Sequence, residues 1–220
     1  MNNNPKMRTY DRREAIIFRK TNELFGGFSN MASGYKLCIN SFKILTSEAL
    51  YQACRFPHMP EVQRLILGQA SPMTAKMKSK PYRQHTREDW DLVKVKIMRW
   101  CLRLKLAQNW SKFSDLLISS NSKNIVEESK RDDFWGAKSK GDFLLEGANV
   151  LGRLLMELRE ELKIKKLENF LLVKPPDIPN FLLLGEPVGI ISVNKDDLDL
   201  PLHEPSQPLP NYKSQLSLFK

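Results

Sequence analysis

Thr86-Arg87-Glu88-Asp89-Trp90-Asp91-Leu92-Val93-Lys94-Val95-Lys96-Ile97-Met98-Arg99-Trp100-Cys101-Leu102-Arg103-Leu104 is the stretch that sets the architecture. Trp90, Val93, Ile97, Trp100 or Cys101, and Leu104 recur at spacings of three and four, the period of a helix with one apolar stripe. Thr86 and Asp89 resemble a capping box in which Asp stands for the usual Glu or Gln, so the helix is expected to start beside them. A helix of this length and stripe needs other elements to cover it. They are legible on both sides. Upstream, Thr46 or Ser47 caps a helix through Glu48, Tyr51 and Phe56, with Glu48 in the favoured first turn. Pro57 and Pro60 end that helix. Residues 61–69 form a second short helix, and Ser71-Pro72 opens a third, with Pro at the first helical position. Downstream, residues 113–118 read as a short helix, 124–127 as a strand, and 148–163 as the final helix, with Val150, Leu151, Leu154, Leu155, Leu158 and Leu162 on one face.

Strands are few. Residues 15–18 are apolar and bulky, and residues 35–39 and 41–45 read as a hairpin turning near Asn40. Two further apolar runs, 181–184 and 188–193, lie between proline-rich turns. The pattern predicts an α+β fold, a mostly helical single domain with a few short strands and a C-terminal extension. Its expected divisions are a polar, basic arm over 1–13, a catalytic domain over 14–166, a hairpin-like extension over 167–195, and a disordered proline-rich tail over 196–220. There is no internal repeat.

Composition narrows the function classes. The 220 residues are 41% hydrophobic, enough for a real core, and carry a net charge of +10. That charge is uneven. Residues 167–220 hold Lys174, Lys195, Lys213 and Lys220 against seven acidic residues, so residues 1–166 carry 31 basic against 18 acidic residues, a net of +13. A basic body fits a polyanionic partner. No run approaches the roughly 18 apolar residues of a membrane span, and Met1-Asn2-Asn3-Asn4-Pro5-Lys6 lacks the apolar stretch of a signal peptide. Cys38, Cys54 and Cys101 match no metal spacing and read as reduced, buried thiols. A cytoplasmic, monomeric protein is expected, with no membrane partner.

Phosphate-loop, GxGxxG and Gly-x-Ser-x-Gly motifs are all missing, and His58, His85 and His203 stand alone. No metal and no cofactor is therefore expected. What remains is a set of carboxylates, tryptophans and amides beside glycines. It comprises Phe28-Ser29-Asn30, residues 47–53 (Ser-Glu-Ala-Leu-Tyr-Gln-Ala), residues 70–76 (Ala-Ser-Pro-Met-Thr-Ala-Lys), Arg87-Glu88-Asp89-Trp90, Glu127 through Gly136, and residues 147–156 (Gly-Ala-Asn-Val-Leu-Gly-Arg-Leu-Leu-Met).

Taken together and in this order, these segments resemble the NADAR (YbiA-like) family over about residues 15–160. The resemblance implies a mostly helical α+β domain that acts as an N-glycosidase, cleaving a bond between C1 of a ribose and a nitrogen. Some members act on phosphoribosylamino intermediates of riboflavin synthesis. Others remove ADP-ribose from guanine in DNA, opposing a DNA ADP-ribosyltransferase toxin. Matched position by position, the resemblance makes Glu48 and Asp132 the catalytic candidates. It places Phe28, Asn30, Arg55, Lys76, Trp90, Glu127, Trp135, Gly136 and Asn149 around the substrate.

The residue chemistry suits that class. Breaking a C–N glycosidic bond builds oxocarbenium character at C1, which a carboxylate can stabilise while it orients water or shuttles a proton. Each candidate also has a plainer reading. Glu48 can serve as a helix-start acid, Asp132 as a turn cap, and Glu127 as an ion-pair partner of an Arg or a second acid. Trp135 offers a stacking face for a base; Trp90 also fits the apolar stripe of its helix. Asn30 and Asn149 can bind a nucleotide or cap a turn. Lys76 can pair with a phosphate or stay solvated. One departure matters: the family commonly places Lys after Tyr-Gln-Ala-x, and here that residue is Arg55. Arginine stays protonated and grips phosphate with a fork, which disfavours a Schiff base and favours phosphate binding. A second departure is the basic, apolar segment 137–146 where the family is often rich in glycine.

The chain's last residues carry a separate signal. Gln215, Leu216, Leu218 and Phe219 in Gln-Leu-Ser-Leu-Phe resemble the peptide with which bacterial DNA-repair and replication proteins grip the sliding clamp. The apolar trio is a compact anchor, and Pro201, Pro205, Pro208 and Pro210 upstream favour an extended lead-in. With the basic body, this points to ADP-ribosylated DNA, preferably single-stranded, as substrate, to the clamp as a partner, and to genetic pairing with a toxin. An N-glycosidase of riboflavin-pathway intermediates and a non-catalytic ADP-ribose binding module are the alternatives.

Overall fold

The computed structural model describes residues 5–195 and Leu198. In chain order they form β1 (Arg8–Asp11), β2 (Ala15–Phe18), β3 (Leu37–Ile39), β4 (Phe42–Ile44), α1 (Ser47–Ala53), α2 (Pro60–Leu67), α3 (Pro72–Ser79), α4 (Trp90–Gln108), α5 (Trp110–Ser119), β5 (Asn124–Glu127), β6 (Lys138–Lys140), β7 (Leu144–Gly147) and α6 (Val150–Ile164). Four two-residue strands follow: β8 (Leu172–Val173), β9 (Leu182–Leu183), β10 (Glu186–Pro187) and β11 (Ile191–Ser192). The α+β, mostly helical class is as the sequence predicts.

Helix α4 is the axis. The stripe Trp90, Val93, Ile97, Trp100, Cys101 and Leu104 is buried along its whole length, against α1, α5 and α6. Each such side chain contributes about 1.5–3 kcal/mol by leaving water. The expected capping box does not form. Asp89 sits at the N-cap without a side-chain cap bond, and its carboxylate is taken by Arg87 at 2.5 Å. Thr86 Oγ1 has no partner. An ion pair to a guanidinium outcompetes a cap bond to a neutral amide.

Helix α1 is shorter than expected. Thr46 Oγ1 does accept from the Ala49 amide, but the helix ends at Ala53, and Pro60 begins α2 rather than ending α1. Ser71 caps α3 as read, its Oγ accepting from Thr74 N. The β3–β4 hairpin turns through Asn40 and Ser41 at φ 48° and 64°, the left-handed pair a two-residue turn requires.

Two ladders place the site. Strands β2 and β5 pair in parallel, with Phe18 opposite Glu127. A parallel pair needs a long crossover, and here residues 19–123 supply it, carrying α1–α5. The second ladder, ordered β1-β7-β6, is antiparallel. It corrects the reading of residues 1–13 as an arm, because Arg8–Asp11 is strand β1 paired with Leu144–Gly147. The segment 137–146 is the β6–β7 hairpin, turning at Gly141 with φ 77°.

The extension is a long bent hairpin. Its tip pairs β9 with β10, and its base pairs β8 with β11. Leu184 and Gly185 form the tip turn at φ 57° and 94°. A bulky side chain is strained there; the buried Gln63 compensates, accepting from Leu184 N at 2.6 Å and donating to Leu182 O at 3.0 Å. Phe181 meets Trp100 edge-on at 4.9 Å, fastening the extension to α4. Among the cysteines, Cys54 and Cys101 are buried as expected, but Cys38 is exposed on β3. The proline-rich tail and its terminal peptide, Gln215, Leu216, Leu218 and Phe219, lie outside the described residues.

Candidate active site

Glu48, Tyr51, Gln52 and Arg55 follow at i, i+3, i+4 and i+7, which puts them on one face along α1 and the turn after it. That face lines a cavity of about 350 Å³. Glu48 is only 5% exposed, and both its oxygens are held. Oε2 accepts from Asn30 Nδ2 at 2.7 Å and Oε1 from Gln52 Nε2 at 2.8 Å. Gln52 is fixed in turn, its Oε1 accepting from Ser79 Oγ at 3.1 Å. Thr46 rather than Glu48 makes the cap bond, so the carboxylate is left for the cavity.

The loop that presents Asn30 is anchored from below by a buried lysine. Lys105 Nζ donates to Gly27 O at 2.6 Å and to Ser29 O at 3.2 Å. It also lies over the rings of Tyr35 and Phe113, at 4.0 and 4.5 Å from their centroids. Burial, with Lys112 nearby, pulls its ammonium down to about 7.

The opposite wall comes from the end of β5 and the loop after it: Glu127, Ser129, Asp132 and Trp135. Burial, reinforced by the negative charges of Asp132 and Glu48, pushes the Glu127 carboxyl up to about 7, with Lys76 opposing. Asp132 is an exposed turn residue, its Oδ1 accepting from Phe134 N and Trp135 N at 2.9 and 2.8 Å. Trp135 stands edge-on to Tyr51, at 5.7 Å.

Three cations share the cavity: Arg55, Lys76 and Arg83. The Arg55 guanidinium stacks over Trp90 at 4.1 Å. Burial and the charge of Arg83 lower it to about 10, so it stays charged at neutral pH. Three buried polar atoms on the lining residues have no protein partner: Asn30 Oδ1, Tyr51 OH and Arg55 Nε. Buried polar atoms are nearly always bonded; an acceptor, a hydroxyl and a cationic donor around one cavity fit a ligand rich in hydroxyls and phosphate. Desolvation holds the Tyr51 phenol well above its ordinary value, so it keeps its proton to donate.

Of the residues named from sequence, the structure brings Asn30, Glu48, Arg55, Lys76, Glu127, Asp132 and Trp135 to this cavity. Four others act behind it. Phe28 is fully buried and packs on Phe18 and Phe25. Trp90 is the platform under Arg55. Gly136 lets two backbones approach, since a Cβ there would meet Glu127 O at 2.5 Å. Asn149, at φ 47°, spends its amide on β5: Oδ1 accepts from Glu127 N at 3.1 Å and Nδ2 donates to Ile125 O at 2.9 Å. It positions Glu127 and is fully buried, outside the cavity lining. The sequence reading missed Tyr51, Gln52 and Arg83. The helical spacing from Glu48 is the signal that finds the first two; Arg83 sits on a 3-10 turn and has none. Among the described residues no group of His, Cys, Asp and Glu is placed to hold a metal ion, and no helix is long and apolar enough to cross a membrane.

Known proteins resemble this chain over most of its length. The NADAR domain profile matches residues 17–163. N-glycosidase YbiA of Escherichia coli (strain K12) is 34% identical over 154 residues, covering 69% of this chain and 90% of that protein. The riboflavin biosynthesis protein PYRR, chloroplastic, of Zea mays is 32% identical over 161 residues, covering 67% of this chain and 25% of that protein. The NMR structure of E. coli YbiA superposes with a TM-score of 0.60 at 33% identity, covering 72% of this chain and 94% of that one.

Proposed function

The chain belongs to the NADAR family, and on that premise we propose that it removes ADP-ribose from guanine in DNA. Its chemistry is that of an N-glycosidase, a hydrolase of N-glycosyl bonds. The observation that carries the substrate reading is the cation trio Arg55, Lys76 and Arg83 in one cavity with the carboxylates. A pyrophosphate next to the ribose being released would use all three. The net +13 over residues 1–166 supports a polyanionic substrate such as DNA.

In this reading the two glutamates divide the work, as paired carboxylates in unlike environments do. Glu127, protonated near neutrality, gives its proton to the leaving nitrogen as the C1–N bond breaks with both electrons going to nitrogen. Glu48, held as an acceptor by Asn30 and Gln52, faces the positive charge that develops at C1. Water adds to C1 and its proton passes to Glu48. Tyr51 and Asn30 Oδ1 hold ribose hydroxyls, and Trp135 offers an edge or face to the base. The test is kinetic: ADP-ribosylated guanine in a single-stranded oligonucleotide should be cleaved with a higher kcat/KM than a phosphoribosylaminopyrimidine. The reverse order would overturn the reading.

That reverse order is the second reading, hydrolysis of a riboflavin-pathway intermediate. The maize relative's name favours it, and a ribose phosphate would engage part of the same cation trio. The proposal also includes a toxin partner and docking of residues 215–219 on the sliding clamp, where a few apolar anchors would supply the affinity. Calorimetric titration of clamp with the wild-type tail peptide tests the latter; no heat at about 100 μM clamp, where even a Kd near 10⁻⁴ M would register, would remove it.

A further inference from the structure

A second, larger cavity of about 580 Å³ lies beside the first and contains neither Glu48 nor Glu127. No residue lines both, but near neighbours in the chain do. Arg55 lines the catalytic cavity, while Pro57 and His58 line the second; Arg83 lines the catalytic cavity, while Gln84 and His85 line the second. Consecutive Cα atoms are about 3.8 Å apart, so at Arg83–Gln84 the chain passes from one lining to the other.

The two cavities differ in charge. The first gathers three cations. In the second, the Arg87 guanidinium is already committed to Asp89 and to Pro179 O at 2.6 Å. Glu88 makes no ion pair among the described residues, and the remaining groups are imidazoles, amides and a hydroxyl. Apart from the one unpartnered nitrogen of Arg87, no cluster of cations like that of the first cavity is present there among the described residues. Imidazole faces and amide edges suit a purine, and a free carboxylate suits a ribose diol. Thr86 Oγ1 and Arg87 Nη1, on two of its lining residues, are buried without partners.

We infer that this cavity is the subsite for the nucleoside half of a nucleoside diphosphate-ribose substrate, completed by the C-terminal extension. Pro179 and Asn180 form one wall, and both lie beyond the family match at residues 17–163. The extension holds that wall firmly, through Phe181 against Trp100 on one side and Pro179 O against Arg87 on the other. The appended hairpin thereby turns a ribose-phosphate site into one that measures a longer ligand. This rests on the ADP-ribose reading above and assigns the adenosine its place.

The test uses the full chain and calorimetric titration with two probes, ADP-ribose and ribose 5-phosphate. Wild type should bind ADP-ribose at least about tenfold tighter, a margin set by the added stacking and hydrogen bonds. His58→Ala with Asn180→Ala should erase most of that margin, while ribose 5-phosphate, which ends before this cavity, is bound as by wild type. Glu88→Gln should weaken ADP-ribose alone by roughly threefold to tenfold, the loss of one charge-assisted hydrogen bond. All these side chains are exposed, and retention of ribose 5-phosphate binding reports that each variant is folded. An unchanged ADP-ribose affinity in every variant, with the wild-type margin present, would overturn the subsite and leave the proposed function standing. Equal affinity of wild type for the two probes would overturn both.

Discussion

The two walls of the candidate active-site cavity are built on opposite principles. On the α1 side the Glu48 carboxylate ends a continuous chain of hydrogen bonds. Lys105 holds the loop, the loop presents Asn30, Asn30 and Gln52 hold Glu48, and Ser79 holds Gln52. On the β5 side the backbone is fixed, by Asn149 and by the close approach at Gly136, but the Glu127 carboxyl is given desolvation and like charges in place of donors. The first arrangement presents an acceptor in one orientation. The second raises a carboxyl to about 7, so that part of it is still protonated at neutral pH. One fold thus produces two glutamates of different character from position alone.

The largest expected effect comes from breaking the bonded wall at its centre. Glu48→Gln should lower kcat by about 10³-fold, within the 10²–10⁴ range typical of acid–base assistance. Its ADP-ribose affinity should change little. Residual kcat within tenfold of wild type would place the catalytic carboxylate elsewhere.

Glu127→Gln sharpens the comparison through pH. Wild-type kcat should fall as pH rises through about 7, where Glu127 gives up its proton. The variant should be about 10²-fold slower below pH 7 and flat above it. Stability gives a second readout. The folded pKa is raised above the ordinary 4.5, so the favourable contribution of the protonated form is complete below 4.5 and is lost as pH rises through about 7. Glu127→Gln should therefore melt higher than wild type at pH 8 and nearly equal to it at pH 4. Identical melting differences at both pH values would mean that Glu127 is not desolvated.

Lys105→Met gives the smallest effect on catalysis and tests whether the anchor matters. It leaves Gly27 O and Ser29 O without their donor, a cost of about 1–3 kcal/mol in stability. Loosening Asn30 should reduce kcat by roughly tenfold, about 1.4 kcal/mol of transition-state stabilisation. An unchanged kcat in a destabilised protein would separate the loop's anchoring from its chemistry.

Much of this was legible in the chain. The stripe of α4, the Thr46 and Ser71 caps, the Asn40 turn and strand β5 follow from period, cap chemistry and left-handed tolerance, all of which are local. Seven of the eleven residues assigned to the substrate site do converge on one cavity. The errors share a cause. The capping box lost to the Arg87–Asp89 ion pair, the N-terminal arm became a strand by pairing with residues more than a hundred positions away, and Asn149 turned from ligand to brace. In each case a competing partner lay at a distance or an angle that spacing does not encode.

By itself the sequence determined the helical class, the family and the candidate carboxylates, because residue type, period and motif order are properties of the chain. Tertiary structure alone raised the Glu127 carboxyl above its ordinary range. The desolvation of Glu127 arises where β5, Asp132 and Glu48 are brought together around one cavity. It alone also set the extension's Asn180 beside His58 and Glu88, since a cavity wall is made by chain segments that meet only after folding.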